Sequence, residues 1–472
     1  FRSVSNNRSK SSWYSIDGGI DYQRMFHVKD RMLTFSYKIN TRPESSDSYS
    51  TYDYDMEDVA PDWQDFMKRM KNQHNDGSQN TTEHTFQADY TTPIGKIHTL
   101  EAGAKYILRD NSSEDDRYEQ ASATQADYEF DNDHSSHYKH QNDILAAYLG
   151  YGLKVKKISG RLGVRYEHTK QEVKYLLGKG DNFDKNFDDL VPSASIGYKL
   201  TDMSNLRFGY NMRIYRPGIW YLNPYVNNAD PQNISFGNPN LDSEKSNNIN
   251  LNYSMFAQKF SINASATYTF VNNSIEQYTF IDPENPGVFQ TTYGNIGKKQ
   301  STGLFVYANW NPVPLFRIYM NGGMDYTDLK SEKNDMANSG FSGRIFAGTQ
   351  FNFPLDFRVN IQGGYFSPWI QLQGKGSPFY FTGISVNKDF LKKKLSVQLS
   401  FQNPFWKRMK MENTTSDDTF FRREINYRTM RMLMVSVSYR FGTLKDAIKK
   451  VKRGISNDDM KSGGSGGGEQ QM

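Results

Sequence analysis

Three histidines, His134, His137 and His140, stand three residues apart in "DNDHSSHYKH", with Asp131 and Asp133 just before them. Imidazoles and carboxylates at such density are donors that a divalent metal takes. On a strand, positions three apart fall on opposite faces. The trio therefore converges only across a turn, a solvated loop base is the plainer reading, and no metal is expected. A second candidate is the acidic, aromatic stretch "SSDSYSTYDYDMEDVAPDWQDFMKRMKNQ" (45–73), where Asp53, Asp55, Glu57 and Asp58 would suit a cation or a basic substrate. Trp63, Phe66, Met67 and Met70 recur there at helical spacing, so a short surface helix over 61–72 is preferred to a site. "SSEDDRYEQ" (112–120) is read as a similar acidic loop, most simply a solvated surface.

Catalytic chemistry finds no constellation. There is no nucleophile elbow, no H-E-x-x-H and no phosphate loop, and nothing nominates a Ser–His pair. The expectation is a non-enzymatic chain with no cofactor. Cysteine is absent, which excludes disulfide scaffolds and thiolate metal sites. A net charge of +5 over 472 residues makes no case for nucleic acid, which wants clustered basic residues.

What must position these residues is a pattern of period two. In "FSINASATYTFV", Ile262, Ala264, Ala266, Tyr268 and Phe270 share one face, and Ser261, Asn263, Ser265, Thr267 and Thr269 the other. "NINLNYSMF", "LSVQLSFQ", "SASIGYKL" and "LRFGYNMRIY" repeat it. In "RMLMVSVSYRFG", Leu433, Val435, Val437, Tyr439 and Phe441 alternate with Met434, Ser436, Ser438 and Arg440. The composition agrees: only 36% of residues are hydrophobic, yet Tyr and Phe number 31 each, too aromatic for disorder. Polar on average but aromatic suits residues that alternate between two different surroundings.

Connections alternate too. Short turns at 27–30, 92–96, 155–157, 201–205, 257–259, 311–315, 353–356 and 389–394 interleave with long polar stretches at 42–81, 110–136, 174–187, 216–245, 279–289, 328–337, 369–377 and 406–418. A soluble sandwich has no reason to sort its loops onto two ends in this way. An outer-membrane barrel does, with short periplasmic turns and long extracellular loops. No apolar run reaches the length of a membrane-spanning helix, which leaves a barrel open. The fold expected is an all-β, transmembrane, antiparallel up-and-down barrel over 1–442, followed by a flexible periplasmic tail over 443–472. Its apolar face meets lipid and its polar face a wet lumen. Arg161, Arg165, Arg207 and Arg213 fall on the polar face, where charge is cheap in water and costly in a dry core.

The segments number about 17, and the first and last both descend toward the short-turn side. An antiparallel ring cannot close on such a set. The expectation is that strands are missing upstream, or that another chain completes the barrel.

The stretch "RIYRPGIWYLNPYVNNADPQNISFGNPNLDSEKSNNINLNYS" (213–254) resembles the TonB-dependent receptor-like outer-membrane barrels common in Bacteroidetes. The residues that carry the likeness are Arg216-Pro217, Leu222-Asn223-Pro224, Gly237-Asn238-Pro239, Leu241 and Glu244. "FDDLVPSASIGYKL" and the terminal "SVSYRFG" fit as well. The resemblance implies a bacterial outer-membrane location, about 22 strands, and an N-terminal plug that couples to TonB, of which this chain shows neither plug nor contact segment. It implies a solute importer, with the four arginines holding the plug or lining the path. It also implies contact with outer-membrane lipid, lipopolysaccharide and other outer-membrane proteins or lipoproteins. A non-transporting barrel that scaffolds a larger complex, or a passive porin, are the competing readings. Pro217, Pro224, Pro231 and Pro239 break strand pairing in this loop. Trp220, Tyr221, Asn223 and Tyr225 are its candidate solute-binding residues, although the aromatics would equally pack the loop down on itself.

Overall fold

The computed structural model describes residues 3–442 except 55–60, 62–63, 65–70, 121–126, 179–181, 228–231 and 283–286, together with 455, 457 and 459–461. Among the described residues, seventeen strands of the main sheet's wall follow one another in chain order. Strand β1 has two segments, Ser3–Trp13 and Ile16–Met25. Then come β2 (Met32–Tyr54), β3 (Asn72–Ile94), β4 (His98–Gln120), β5 (Ser136–Val155), β6 (Ile158–Leu177), β7 (Phe183–Lys199), β8 (Ser204–Pro217) and β9 (Glu244–Phe256). The rest are β10 (Phe260–Ile281), β11 (Phe289–Val313), β12 (Phe316–Ser331), β13 (Met336–Phe353), β14 (Phe357–Phe366), β15 (Phe379–Phe390), β16 (Leu395–Gln402) and β17 (Met432–Tyr439). Each pairs antiparallel with the next, from β1 with β2 to β16 with β17. Among the described residues β1 and β17 do not pair with each other, so the sheet keeps two open edges.

Period two is realised in register. One row of outward residues runs Leu433–Phe401–Ile384–Ile361–Thr349–Ile318–Trp310–Phe260 across eight strands. Another runs Val435–Leu399–Val386–Val359–Phe351. Leu433, Val435 and Val437 are each about two-thirds exposed, as are Leu149 and Leu190 on the other arm of the sheet. An apolar face this continuous and this bare is matched to hydrocarbon, not to a second sheet. Tyr37, Phe86 and Tyr106 form its upper border on β2–β4, and Tyr326 meets Phe341 at 4.9 Å on β12–β13. Such rows are the interfacial girdle of a membrane barrel.

At one end the connections are tight. Asp30, Gly95, Lys156, Leu355, Asp356 and Leu391–Lys393 all take positive φ there, the left-handed backbone that abrupt strand reversals need. At the other end the strands outrun the belt. β2, β3 and β4 are 23 residues each, roughly 75 Å of strand at about 3.3 Å per residue, where a tilted crossing needs roughly 9–11 residues. The stretches 42–81, 174–187 and 328–337 are therefore mostly strand, with true connections only at 55–71, 178–182 and 332–335. Above the belt the outer face meets water and much of the inner face packs polar side chains such as Arg109, Asn111 and Ser113, so the apolar alternation that marks a strand disappears while the hydrogen-bond ladder continues. Asp55, Glu57, Asp58 and the helix expected from Trp63, Phe66, Met67 and Met70 lie outside the described residues.

Candidate functional site

The inner face of β3–β8 is built from alternate residues whose neighbours face lipid. Gln87 and Asp89 on β3, Glu101 and Lys105 on β4, Arg161 and Arg165 on β6, and Arg207 on β8 border one cavity of about 830 Å³. Arg161 pairs with Glu101 and Arg165 with Glu167. The Arg165 guanidinium also lies 5.7 Å from the Tyr148 ring centre, and Tyr148 donates to Asp89 at 2.5 Å. Three of the four arginines singled out in the sequence thus meet at one place. Arg213, farther along β8, does not line it.

Higher on the same wall is a charge cluster that sequence reasoning missed. Arg109 is 1% and Arg216 3% exposed. Arg109 binds Glu83, while Arg216 donates to Glu167 Oε2 at 2.7 Å and to Thr169 at 3.0 Å. Both guanidinium groups close on Asp459, Arg109 at 3.2 Å and Arg216 at 2.9 Å. Burial alone would raise the Asp459 carboxyl, but the two cations outweigh it and hold its pKa at about 2. Asn457 donates to Glu83 at 2.6 Å and to Thr85 at 2.7 Å, and Met460–Lys461 runs parallel to Arg216–Pro217. The described part of the segment expected to be a free periplasmic tail is therefore laid against the inner wall. Arg109 was legible from its place in the polar alternation of "KYILRDNS"; its partner Asp459, 350 residues away, was not.

Strand β8 stops pairing with β7 at Asn211 and continues with β9 as far as Tyr215. The connection 218–243 turns inward there. Leu222, Leu241, Tyr138, Val173 and Ile275 form a buried cluster, with Tyr175, Phe183, Tyr221 and Tyr293 packed on it. Tyr138 and Val173 are inner-face residues of β5 and β6, so the loop is pinned inside the mouth. Its two arms are bound by Gly237 N–H to Asn223 O at 2.8 Å and Asn238 N–H to Tyr221 O at 2.6 Å. A Cβ on Gly237 would sit 2.4 Å from Asn223 O, so this clasp requires glycine. Glu244 closes the loop by accepting the Ile275 N–H.

The four candidate solute-binding residues are placed unequally. Tyr221 packs edge-on against Tyr293 at 4.8 Å. Asn223 donates to Ser113 at 3.1 Å and to Asp115 at 3.2 Å. Tyr225 donates to Asn75 at 2.9 Å, and burial pushes its phenol up to about 12. Trp220 alone is open, 60% exposed, with its indole N–H 3.3 Å from the Tyr293 hydroxyl.

The histidines do not converge. His134 meets Asp131 at 2.6 Å, His137 meets Asp116 at 2.8 Å, and His140 is buried beside Asn111 at 3.3 Å. Glu119, Asp131 and His134 do come together, but Arg117 binds Glu119 and lies 3.7 Å from Asp131, filling that cluster with its own cation.

Residues 24–439 match the model of the outer membrane protein beta-barrel family. No curated protein matches the sequence. Among solved structures, the chain is similar to a copper transporter (TM-score 0.64, 12% identity, 92% of this chain and 67% of that one). It is also similar to the ferric-catecholate import receptor of E. coli K12 (0.60, 13%, 91% and 64%) and the ferric yersiniabactin uptake receptor of Yersinia pestis (0.57, 14%, 87% and 62%). At these identities the likeness is one of fold, and the chain spans about two thirds of each of these proteins.

Proposed function

Since the chain belongs to the outer membrane protein beta-barrel family and so resides in the outer membrane, we propose that it forms the barrel of a plugged solute importer energised through TonB. The observation that carries this reading is the polar inner wall. The cavity of Arg161, Arg165 and Arg207 with its carboxylate partners offers a polypeptide plug, or a polar solute, a dense set of hydrogen bonds. Loop 218–243 narrows the mouth above it, with Trp220 presented to solute and Tyr221, Asn223 and Tyr225 holding the loop in place. An ordered constriction fits selective entry better than an open pore. No catalytic role is proposed.

A second reading, a scaffold subunit of a larger outer-membrane assembly, draws on the extracellular hairpin 408–429, where Phe421 and Tyr427 are both more than 60% exposed. Depletion of solutes from a defined medium discriminates the readings. Cells lacking this protein and cells lacking TonB should both fail to remove the same solute. A TonB-dependent depletion profile untouched by loss of this protein would refute import, and stable co-purification with other membrane proteins would then support the scaffold. Conductance in planar bilayers without energy coupling would point to a porin instead.

A further inference from the structure

Past Tyr215 strand β8 has no partner among the barrel strands described, so its last two residues offer their backbone to the lumen. The Arg216 N–H donates to Asp459 O at 2.6 Å, and Arg216–Pro217 runs parallel to Met460–Lys461. Pro217 has no N–H to leave unpaired. The end of β8 is therefore a short acceptor edge for one added strand. Chain length permits the tail to reach it. Asp459 follows Gly442 by 17 residues, at most about 56 Å of chain, against roughly 40 Å along β8 from Ser204 to Arg216.

Beside that edge the wall carries an unmatched charge. Arg109 is fixed by Glu83, its register partner on β3, and Arg216 by Glu167 and Thr169 of β6. Arg165 shares Glu167. Asp189, the register partner of Glu167 on β7, is taken by Lys245. With Asp459 set aside, three guanidinium groups thus share two carboxylates, Glu83 and Glu167. The carboxylate that restores the balance is Asp459, and it comes from outside the barrel strands. Arg109 and Arg216 are almost wholly buried, and a buried cation without a counter-ion is strongly destabilising. The wall therefore calls for one carboxylate at this point.

Edge and charge stand together, and the wall adds side-chain contacts. Glu83 and Thr85 accept from the Asn457 amide. Arg216 Nε is buried with no hydrogen-bond partner among the described residues, so the tail leaves one donor of the site unused. We propose that this wall is a binding site for an extended acidic peptide segment. The segment adds as a parallel strand to Arg216–Pro217 and sets one carboxylate between Arg109 and Arg216, held by charge-assisted hydrogen bonds. Residues 457 and 459–461 of this chain are its tethered occupant, and a free peptide of the same chemistry competes with them. The inference goes beyond the import reading and does not rest on it, since it concerns binding at equilibrium without TonB or energy.

The intact protein is extracted from outer membranes into a neutral maltoside detergent at neutral pH. It is titrated against a fluorescently labelled peptide GISNDDMKSG, the sequence of residues 454–463, with anisotropy reading the binding. A variant carrying Asp458→Ala and Asp459→Ala has its own tail disarmed. It should bind the peptide saturably and at least tenfold more tightly than the unaltered protein, where the tethered tail holds the site at high effective concentration. The same peptide with Asn in place of both aspartates should bind that variant at least tenfold more weakly. Adding Arg216→Gln should remove the difference between the two peptides. Glu167 keeps Arg165 in that variant, so no carboxylate is orphaned, and heat-modifiable migration on gels reports that each barrel is folded. Absence of saturable binding to the disarmed variant, equal affinity for the two peptides, or an undiminished preference after Arg216→Gln would each overturn the site. Equal binding to the unaltered protein and the disarmed variant would overturn the tail as its occupant.

Discussion

Leu222 is the single side chain on which the inward position of loop 218–243 most depends. It is fully buried between Tyr138 and Val173 of the wall and Leu241 of the loop's other arm. Leu222→Ala removes three carbons, about 2.4 kcal/mol of transfer free energy at about 0.8 per methylene. A cavity term brings the total into the range of about 2–5 kcal/mol seen for such truncations. The other anchors, among them Asn223 to Ser113, Tyr225 to Asn75 and Asn238 to Tyr293 O, contribute about 1 kcal/mol each; they are the same in both variants and do not offset the loss. At about 1.4 kcal/mol per decade, a loss of about 3 kcal/mol multiplies the population of the opened loop roughly 100-fold. Hydrogen exchange followed by mass spectrometry on peptides covering 219–241 should show that acceleration, and peptides from β12–β14 should not. If exchange in 219–241 rises less than about fivefold, or rises equally everywhere, the loop is not held as described.

The lipid-facing assignment predicts that Val435→Lys costs about 2–4 kcal/mol and Ser436→Lys, one residue along and facing inward, nearly nothing; urea-induced unfolding after refolding into phospholipid vesicles measures both, and equal costs would contradict the register. His140 is held neutral in the fold, its pKa brought down to about 4 first by burial and then by Arg109. A depressed histidine contributes stability that is full above the ordinary value near 6.5 and declines as pH falls toward 4, by about 3 kcal/mol in all. The urea midpoint of the upper strands should therefore fall between pH 7 and pH 4.5, and His140→Gln should flatten most of that slope.

The faces of the strands were legible in the sequence because two solvents impose them. Leu433, Val435 and Val437 against Ser436 and Ser438 is a choice between hydrocarbon and water, and it leaves period two in the residue types. Strand length above the belt was not legible, since the outer face of Ser45–Tyr49 or Asn111–Arg117 meets water while its inner face packs polar side chains such as Asn111, Ser113 and Arg117, and polar residues on both faces leave no alternation to read. The lumen arginines followed from the same parity, and Arg161, Arg165 and Arg207 do share a cavity. Phe346 and Phe381 sit on positions where parity predicts polar residues, and read singly they look like noise in the pattern. The Arg109–Asp459–Arg216 cluster joins groups hundreds of residues apart, which no local spacing records.

The 23-residue strands make one continuous hydrogen-bonded ladder that stands in two media. Below the Tyr37–Phe86–Tyr106 row, breaking a rung exposes peptide groups to oil, where nothing replaces the lost bond. Above it, water replaces the bond at once. Denaturant therefore has purchase only on the collar, and the ladder unzips from its rim downward, Tyr49 and His74 before Phe35 and Ala88. Mouth and stem, though one sheet by connectivity, come apart as two cooperative units.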